Sequence, residues 1–166
     1  MSRRRFPVSE VFRKDSRPFL EDPYRQEKKY RSNTLCPACG LLFQNGRWKR
    51  ARATGQIQGE RLCPACLRTL HDYPGGVLRL SGSFLESHRE EILQRIRNLA
   101  AEASKEHPLE RIIRTEEKEG EILVHSTSEH LVARLGKAIR SDFNGTLDLK
   151  YAPGEKYAMA HWTREG

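Results

Sequence analysis

The chain has 166 residues, 37% of them hydrophobic and 31% charged, which allows one modest core and a small metal-held module. No run approaches the roughly 20 apolar residues that a membrane helix requires, and no apolar stretch follows the basic N-terminus, so we expect a cytoplasmic protein without a membrane partner. The net charge of +8 is uneven: residues 1–35 carry ten Lys/Arg against five Asp/Glu, residues 36–70 six against one, and residues 71–166 fourteen against sixteen. A polyanion would therefore be attracted to the first 70 residues.

Residues 1–34 are predicted to form an extended basic arm, because they have little periodicity and contain three prolines. Aromatic residues recur among the cations at intervals of about six residues, a pattern suited to phosphates and unpaired bases of RNA. The alternative is a solvated tail whose rings pack on the rest of the protein. The predicted RNA contacts of the arm are Arg3, Arg4, Arg5, Phe6, Phe12, Arg13, Lys14, Arg17, Phe19, Arg25, Lys28, Lys29, Tyr30 and Arg31.

Residues 35–73 are predicted to form a zinc ribbon with four cysteine ligands. The four cysteines of the chain stand in two Cys-Pro-Ala-Cys pairs, 23 residues apart: Cys36, Cys39, Cys63 and Cys66. Each pair can turn two thiolates onto one ion, so the pattern predicts a single structural Zn²⁺ bound by all four. Two disulfides would need an oxidising compartment, and a redox Cys-x-x-Cys would follow a buried strand, whereas residues 27–35 are polar and charged.

Within the ribbon, Asn45-Gly46 predicts a tight hairpin turn between two short strands. The second strand and the residues after it are rich in cations, which favours contact with phosphates. Trp48 either joins that contact or covers the metal site. The predicted RNA contacts of the ribbon are Arg47, Trp48, Lys49, Arg50, Arg52, Arg61 and Arg68.

Residues 83–166 are predicted to form an α+β domain, joined to the ribbon by residues 74–82 as a linker or short strand. Apolar residues at three- and four-residue steps predict helices from residue 83 to His107-Pro108 and over residues 129–142. Alternating segments predict a hairpin over residues 111–126 and two further strands near 146–151 and 156–162. The order α-β-β-α-β-β favours a four-stranded, mostly antiparallel sheet with both helices on one face.

We expect no enzymatic activity and no small-molecule substrate. Histidines and acids occur in the C-terminal half, but no sequence motif fixes a nucleophile, a phosphate-binding loop or a catalytic metal. Four thiolates would also leave the zinc no open position for a water molecule. A hydrolase that uses His130 or His161 is a further alternative.

Several segments together resemble a known family. They are the two cysteine pairs, residues 107–113 (HPLERII), residues 122–138 (ILVHSTSEHLVARLGKA) and His161-Trp162. The chain resembles an uncharacterised bacterial family of short zinc-ribbon proteins. It is similar, more faintly, to the front part of the Nmd-type adaptor that exports the large ribosomal subunit in archaea and eukaryotes.

The resemblance implies binding to a ribosomal subunit, with the zinc module on ribosomal RNA. His125-Ser-Thr-Ser128 stands where the resemblance implies a run of threonines and an acidic residue. The chain also lacks most of the adaptor's length and any export signal, so a nuclear role is not implied.

The sequence thus predicts a monomeric, non-enzymatic RNA-binding protein that associates with the ribosome in a bacterial cytoplasm. It would act as a hibernation or subunit-assembly factor, with the arm and zinc module on ribosomal RNA and the α+β half on ribosomal proteins. The alternative is a zinc-ribbon adaptor for protein interaction in transcription, or a DNA-binding regulator. RNA binding through many phosphates would be strongly salt-dependent, whereas protein docking would not.

Overall fold

The computed structural model describes residues 30–153 and 156–166. The predicted arm therefore lies outside the described residues, except for its last few positions. We call residues 30–73 the metal module and the described residues from 74 onward the α+β unit. No helix among the described residues has both the length and the apolar character needed to cross a membrane.

The metal module contains a small mixed sheet and one short helix. Its elements are β1 (Thr34–Leu35), β2 (Leu42–Gln44), β3 (Arg47–Lys49), β4 (Gly59–Glu60) and α1 (Pro64–Leu70). The strand order is β3-β2-β1-β4, with β4 parallel to β1 and the other neighbours antiparallel.

The turn between β2 and β3 is the one that the sequence predicts. Asn45 and Gly46 have φ values of 51° and 79°, the left-handed backbone that this hairpin turn requires. The prediction of a hairpin is therefore confirmed. Helix α1 was not predicted, although Pro64 at its first position is a common helix-start signal.

The α+β unit contains two long helices and a larger sheet. Its elements are β5 (Gly76–Ser81), α2 (Ser83–Glu106), β6 (Ile112–Lys118), β7 (Glu121–Ser126), α3 (Glu129–Phe143), β8 (Thr146–Tyr151) and β9 (Ala158–Thr163). The predicted α+β class, both helices, the hairpin and the last two strands are confirmed, with ends shifted by one or two residues.

The predicted four-stranded, mostly antiparallel sheet is wrong. The sheet is mixed and has five strands in the order β6-β7-β5-β9-β8. The added strand is β5, within the segment that the sequence left open as a linker or short strand. It occupies the centre, antiparallel to β7 and parallel to β9. Its partner in the parallel pair lies far along the chain, so local periodicity carried no sign of that pairing.

Both helices cover the same face of this sheet. Leu78 pairs with Val124 on one side and Ala160 on the other, and Leu80 pairs likewise with Ile122 and Trp162. All of these residues are buried in one cluster with side chains of α2 and α3. Because side chains alternate along a strand, the residues between them face away from the helices.

Helix α3 lies very close to the central strand. A Cβ atom at Gly76 would come within 2.7 Å of a Val132 methyl group and 2.8 Å of the Ala158 carbonyl. Glycine is required here because any side chain would force the helix and β9 away from β5.

Candidate metal centre and basic surface

The four cysteines lie at two turns that the local sequence shapes. Cys36 and Cys39 occupy the turn between β1 and β2, where the Gly40 amide donates to the Cys36 carbonyl at 2.9 Å. Gly40 has a φ of 78°, which permits the turn without strain. Cys63 is the N-cap of α1, and Cys66 lies in the first turn of that helix. Each Cys-x-x-Cys pair therefore presents both sulfurs on one side of a tight turn.

The geometry of the sulfurs fits one metal ion. All four Sγ atoms lie within 4.8 Å of one another, and those of Cys39 and Cys63 are 3.8 Å apart. A tetrahedral ion with bonds of about 2.3 Å separates its sulfur ligands by about 3.8 Å. The cysteines are free, which agrees with a ligand cluster and not with disulfides. The predicted ligands therefore come together as a site that could hold one metal ion.

Backbone amides also point at this cluster. The Cys63 amide donates to Cys36 Sγ at 3.3 Å, and the Cys66 amide donates to Cys63 Sγ at 3.4 Å. Burial raises the pKa of the Cys36 thiol, but backbone hydrogen bonds outweigh burial and lower that pKa to about 6. Burial dominates at Cys63 and raises the pKa of its thiol. A metal ion would hold every thiol of the site as a thiolate and release protons on binding.

A guanidinium from the α+β unit also reaches the cysteines. Arg111, between α2 and β6, donates through Nη1 to Cys66 Sγ at 3.3 Å. Its Nη2 lies 3.3 Å from Cys39 Sγ and 3.6 Å from Cys63 Sγ. Burial alone would lower the pKa of Arg111, but the neighbouring thiolates raise it above its usual range. Arg111 was not predicted as a site residue, since nothing in its spacing from the cysteines marks it.

Trp48 lies inside the metal module. It is 6% exposed and packs in the cluster that contains Cys36 and Cys63. Its ring centroid is 4.8 Å from that of Tyr30 and 5.4 Å from that of Phe43. Of the two roles that the sequence left open, the structure places Trp48 in the covering role.

The predicted RNA-contacting cations of the module are mostly on its surface. Arg47 and Lys49 flank Trp48 on the edge strand β3, so the alternation that buries the indole turns both cations outward. Further exposed cations of the module are Arg31, Arg50, Arg52 and Arg61. Arg68 differs, because it is buried and donates to the Tyr73 carbonyl at 3.3 Å.

The surface cations of the two units differ in their partners. Within residues 30–153 and 156–166, Arg47, Lys49 and Arg52 form no ion pair with a carboxylate. Arginines of the α+β unit instead pair with acids: Arg79 with Glu121, Arg89 with Glu117, Arg95 with Asp142, Arg114 with Asp72 and Glu116, and Arg134 with Glu110. Other cations of the α+β unit, among them Lys118, Lys137 and Arg140, also form no ion pair within the described residues, but that unit as a whole carries about as many acids as bases. The net positive charge of the described chain is therefore concentrated on the metal module.

Most of the predicted arm contacts cannot be placed. The predicted contacts from Arg3 to Lys29 lie outside the described residues. Tyr30 is described, and it belongs to the aromatic cluster of the module, with the Arg61 guanidinium 5.0 Å from its ring centroid. The end of the predicted arm therefore packs on the module.

The histidines considered for a hydrolase lie on opposite sides of the sheet. His161 is between two core-facing residues of β9, so it faces away from the helices, and its Nε2 is 2.7 Å from Ser81 Oγ. His130 is exposed in the first turn of α3, on the helical side. The two side chains therefore do not share a site.

Comparison with known proteins finds no matching family, no matching curated protein and no matching solved structure.

Proposed function

We propose that the chain is a zinc-dependent, non-enzymatic RNA-binding protein that associates with the ribosome. It would act in a bacterial cytoplasm as a monomer, with ribosomal RNA and ribosomal proteins as its partners. The role is that of a hibernation or subunit-assembly factor, in which occupancy of a site, and no chemistry, is the function.

Zinc is the ion proposed for the four-cysteine cluster. Four thiolates at tetrahedral spacing form a closed site, which is typical of structural zinc and leaves no position for a reacting water. Elemental analysis of protein purified under reducing conditions should find one zinc per chain. Iron, or oxidised cysteines without metal, would contradict this assignment.

The observation that carries the RNA proposal is the set of unpaired cations on the metal module. Arg47, Lys49 and Arg52 are close in sequence on or beside an exposed edge strand, without acidic partners among the described residues. Cations that are not neutralised internally can displace counterions from phosphates, which is the main source of affinity for nucleic acid. Glu60 is the single acid in residues 36–70, so this surface would attract a polyanion.

Folded ribosomal RNA suits this arrangement better than a single strand does. With Trp48 buried, the described part of the module offers cations and no exposed stacking ring on β3, which favours backbone and shape recognition over base stacking. The cation-rich sequence of residues 1–29 and the family resemblance support a ribosomal site.

The test compares two triple variants, in which three cations of the metal module or three cations of the α+β unit are replaced by Gln. A triple variant with Arg47, Lys49 and Arg52 replaced by Gln should bind ribosomal RNA fragments more weakly. The slope of log affinity against log salt should become shallower by about 2–3, since each phosphate contact contributes about 0.7–0.9. The matched control replaces Lys118, Lys137 and Arg140, three exposed cations of the α+β unit, by Gln. Equal effects of both triples would contradict a binding surface on the module.

Ribosome association is tested separately in cells. The tagged chain should sediment with ribosomal particles in sucrose gradients of lysates from growing or starved cells, and the module triple variant should shift toward the top. If the wild-type chain stays at the top under both conditions, the ribosomal role is wrong. Salt-insensitive capture of a protein partner would instead favour the transcription adaptor.

A further inference from the structure

The contact between Arg111 and the cysteine cluster joins two parts of the molecule that lie at least 45 residues apart in the sequence. The guanidinium lies 3.3–3.6 Å from three of the four sulfurs, those of Cys39, Cys63 and Cys66. The fourth sulfur, that of Cys36, accepts the Cys63 amide. Every sulfur of the cluster thus has a donor, and the charged donor comes from the other unit.

The backbone at Arg111 is fixed by hydrogen bonds within the α+β unit. The Arg111 amide donates to the Thr127 hydroxyl at 2.9 Å, and this hydroxyl donates to the Leu109 carbonyl at 2.7 Å. The Thr127 amide returns a bond to the Arg111 carbonyl at 2.9 Å. The buried threonine therefore fixes the segment to the connection between β7 and α3. Leu109, two residues earlier, packs against the hydrophobic cluster around the cysteines.

The charge of a metal-loaded centre gives the Arg111 guanidinium a role as a compensating charge. A divalent ion with four thiolates has a net charge of −2, which is costly to bury without a compensating charge. A planar guanidinium can donate to several acceptors at once, which a lysine ammonium cannot do in the same geometry. Without the ion, no bond holds the sulfurs of Cys39, Cys63 and Cys66 at the spacing that the guanidinium contacts.

We propose that Arg111 is an outer-sphere positioning residue of the metal centre, through which metal binding and docking of the metal module on the α+β unit become one coupled event. The metal-loaded cluster attracts the arginine that Thr127 holds in place. Occupancy of the site thereby strengthens the docking of the two units, which the Arg114–Asp72 ion pair and the hydrogen bond from Arg50 to the Ser104 carbonyl also join. By thermodynamic reciprocity, the docked α+β unit increases metal affinity by the same factor by which metal stabilises that unit.

The test compares three full-length, zinc-loaded variants. Arg111→Gln removes the charge, Arg111→Lys keeps the charge without the fork, and Arg95→Gln removes an equal charge from an ion pair between α2 and α3. Competition with a zinc chelator should show about 10- to 100-fold weaker metal binding for Arg111→Gln, the range found for outer-shell partners. Arg111→Lys should be intermediate, and Arg95→Gln should match the wild type.

A second readout separates coupling from a general loss of stability. The unfolding of the α+β unit, followed through the buried Trp162, is measured with and without zinc. In the wild type, zinc should lower the unfolding constant of the α+β unit, and the factor should equal the loss of zinc affinity caused by Arg111→Gln. In the Arg111→Gln variant, zinc should have little effect on this unfolding constant. If Arg111→Gln does not fold, Arg111→Lys carries the test.

Three results would overturn the proposal. Arg111→Gln could bind zinc as tightly as Arg95→Gln, or the α+β unit of the wild type could unfold identically with and without zinc. Arg111→Lys could equal the wild type in both measurements, which would show that the contact of a guanidinium with three sulfurs is not required. None of these measurements uses RNA, so they are independent of the proposed ribosomal role.

Discussion

The metal module and the α+β unit are stabilised in different ways. The buried cluster of the module is small and includes two of the candidate metal ligands. Its members are Cys36, Leu41, Trp48, Cys63 and Ala65. The cluster of the α+β unit draws on both helices and the sheet, and Trp162 at its centre is fully buried. We therefore expect the first unit to need an ion for stability and the second to have enough apolar surface to fold by itself.

This difference separates two kinds of surface. In the module, short strands and turns leave many cations exposed, and the proposed ion would provide rigidity. In the α+β unit, several arginines pair with nearby carboxylates and the core provides rigidity. The proposed phosphate-binding surface thus lies apart from the part of the chain that folds by burial.

Removal of the metal should produce the largest difference between the two units. Structural zinc contributes about 10–16 kcal/mol to the folding of small zinc modules, so chelation should unfold residues 30–73 and abolish the proposed RNA binding. Amide NMR spectra should lose the dispersed signals of the module and keep those of the α+β unit. Loss of the α+β signals as well would contradict the ability of this unit to fold without the ion, since its contact through Arg111 should only change its stability. Re-addition of zinc serves as the control for reversibility.

A cavity in the core of the α+β unit should destabilise that unit and not the metal module. Leu131 of α3 is fully buried, so Leu131→Ala should lower the free energy of unfolding of the α+β unit by about 2–5 kcal/mol. Denaturant unfolding monitored by helical circular dichroism measures this loss. Alanine at the exposed Leu70 of α1 should have little effect on the same transition. An unchanged midpoint for Leu131→Ala would contradict the assigned core.

The connection between the central strand and the end of the chain gives a sharper test. Gly82 has a φ of 103°, and a Cβ there would lie 2.1 Å from the Arg164 carbonyl oxygen. Gly82→Ala should cost about 1–3 kcal/mol in backbone strain and displace residues 164–166. Gly120→Ala, at a φ of 79° with open space around it, is the control for strain without a clash. Thermal unfolding should rank Gly82→Ala as the less stable protein.

Acid should weaken the α+β unit through His125. This histidine is 8% exposed, and burial lowers the pKa of its imidazole below the usual 6.5. The folded state therefore binds fewer protons than the unfolded state, so its stability is complete above about pH 6.5 and declines as pH falls toward the folded pKa. The slope cannot exceed about 1.4 kcal/mol per pH unit for one group.

The measurement compares the wild type with His125→Asn, by denaturant unfolding of the α+β unit between pH 7.5 and 5.5. The pH dependence should be shallower in the variant. Parallel curves would show that another group causes the acid sensitivity.

The smallest effect is expected for a surface ion pair. Arg95 and Asp142 link α2 and α3 at 2.6 Å, but their side chains are 44% and 35% exposed. Arg95→Gln should change the free energy of unfolding by about 0–1 kcal/mol, because solvent screens such pairs. Salt titration of both proteins measures the contribution, which should fall further at high ionic strength. A loss of several kcal/mol would mean that this contact matters more than its exposure indicates.

Much of the α+β unit could be predicted because its elements carry strong local signals. Helix α2 has a continuous apolar stripe and ends at a proline, and the hairpin of β6 and β7 alternates around the Glu119-Gly120 turn. Strand β5 escaped clear assignment since it is a short run between glycines. Its central position results from a parallel pairing with β9, and long-range pairings leave no trace in a local window.

The residues of the candidate site likewise include some that the sequence predicts and some that it does not. The cysteines were predictable because their spacing alone restricts the chemistry, whereas the role of Trp48 depended on which side of β3 the core occupies. Arg111 was beyond prediction, because its contact with sulfur requires the packing of two units. Thr127 lies in the segment singled out by family resemblance, and its hydroxyl supports the backbone of Arg111.

The parallel pairing of β5 with β9 also affects the order of events during synthesis. The central strand follows directly after the metal module, yet one of its neighbours is residues 158–163. A nascent chain can thus complete its four-cysteine segment early, while one edge of β5 stays unsatisfied until residues 158–163 have been translated. During that interval the open edge is exposed to aggregation or to a chaperone.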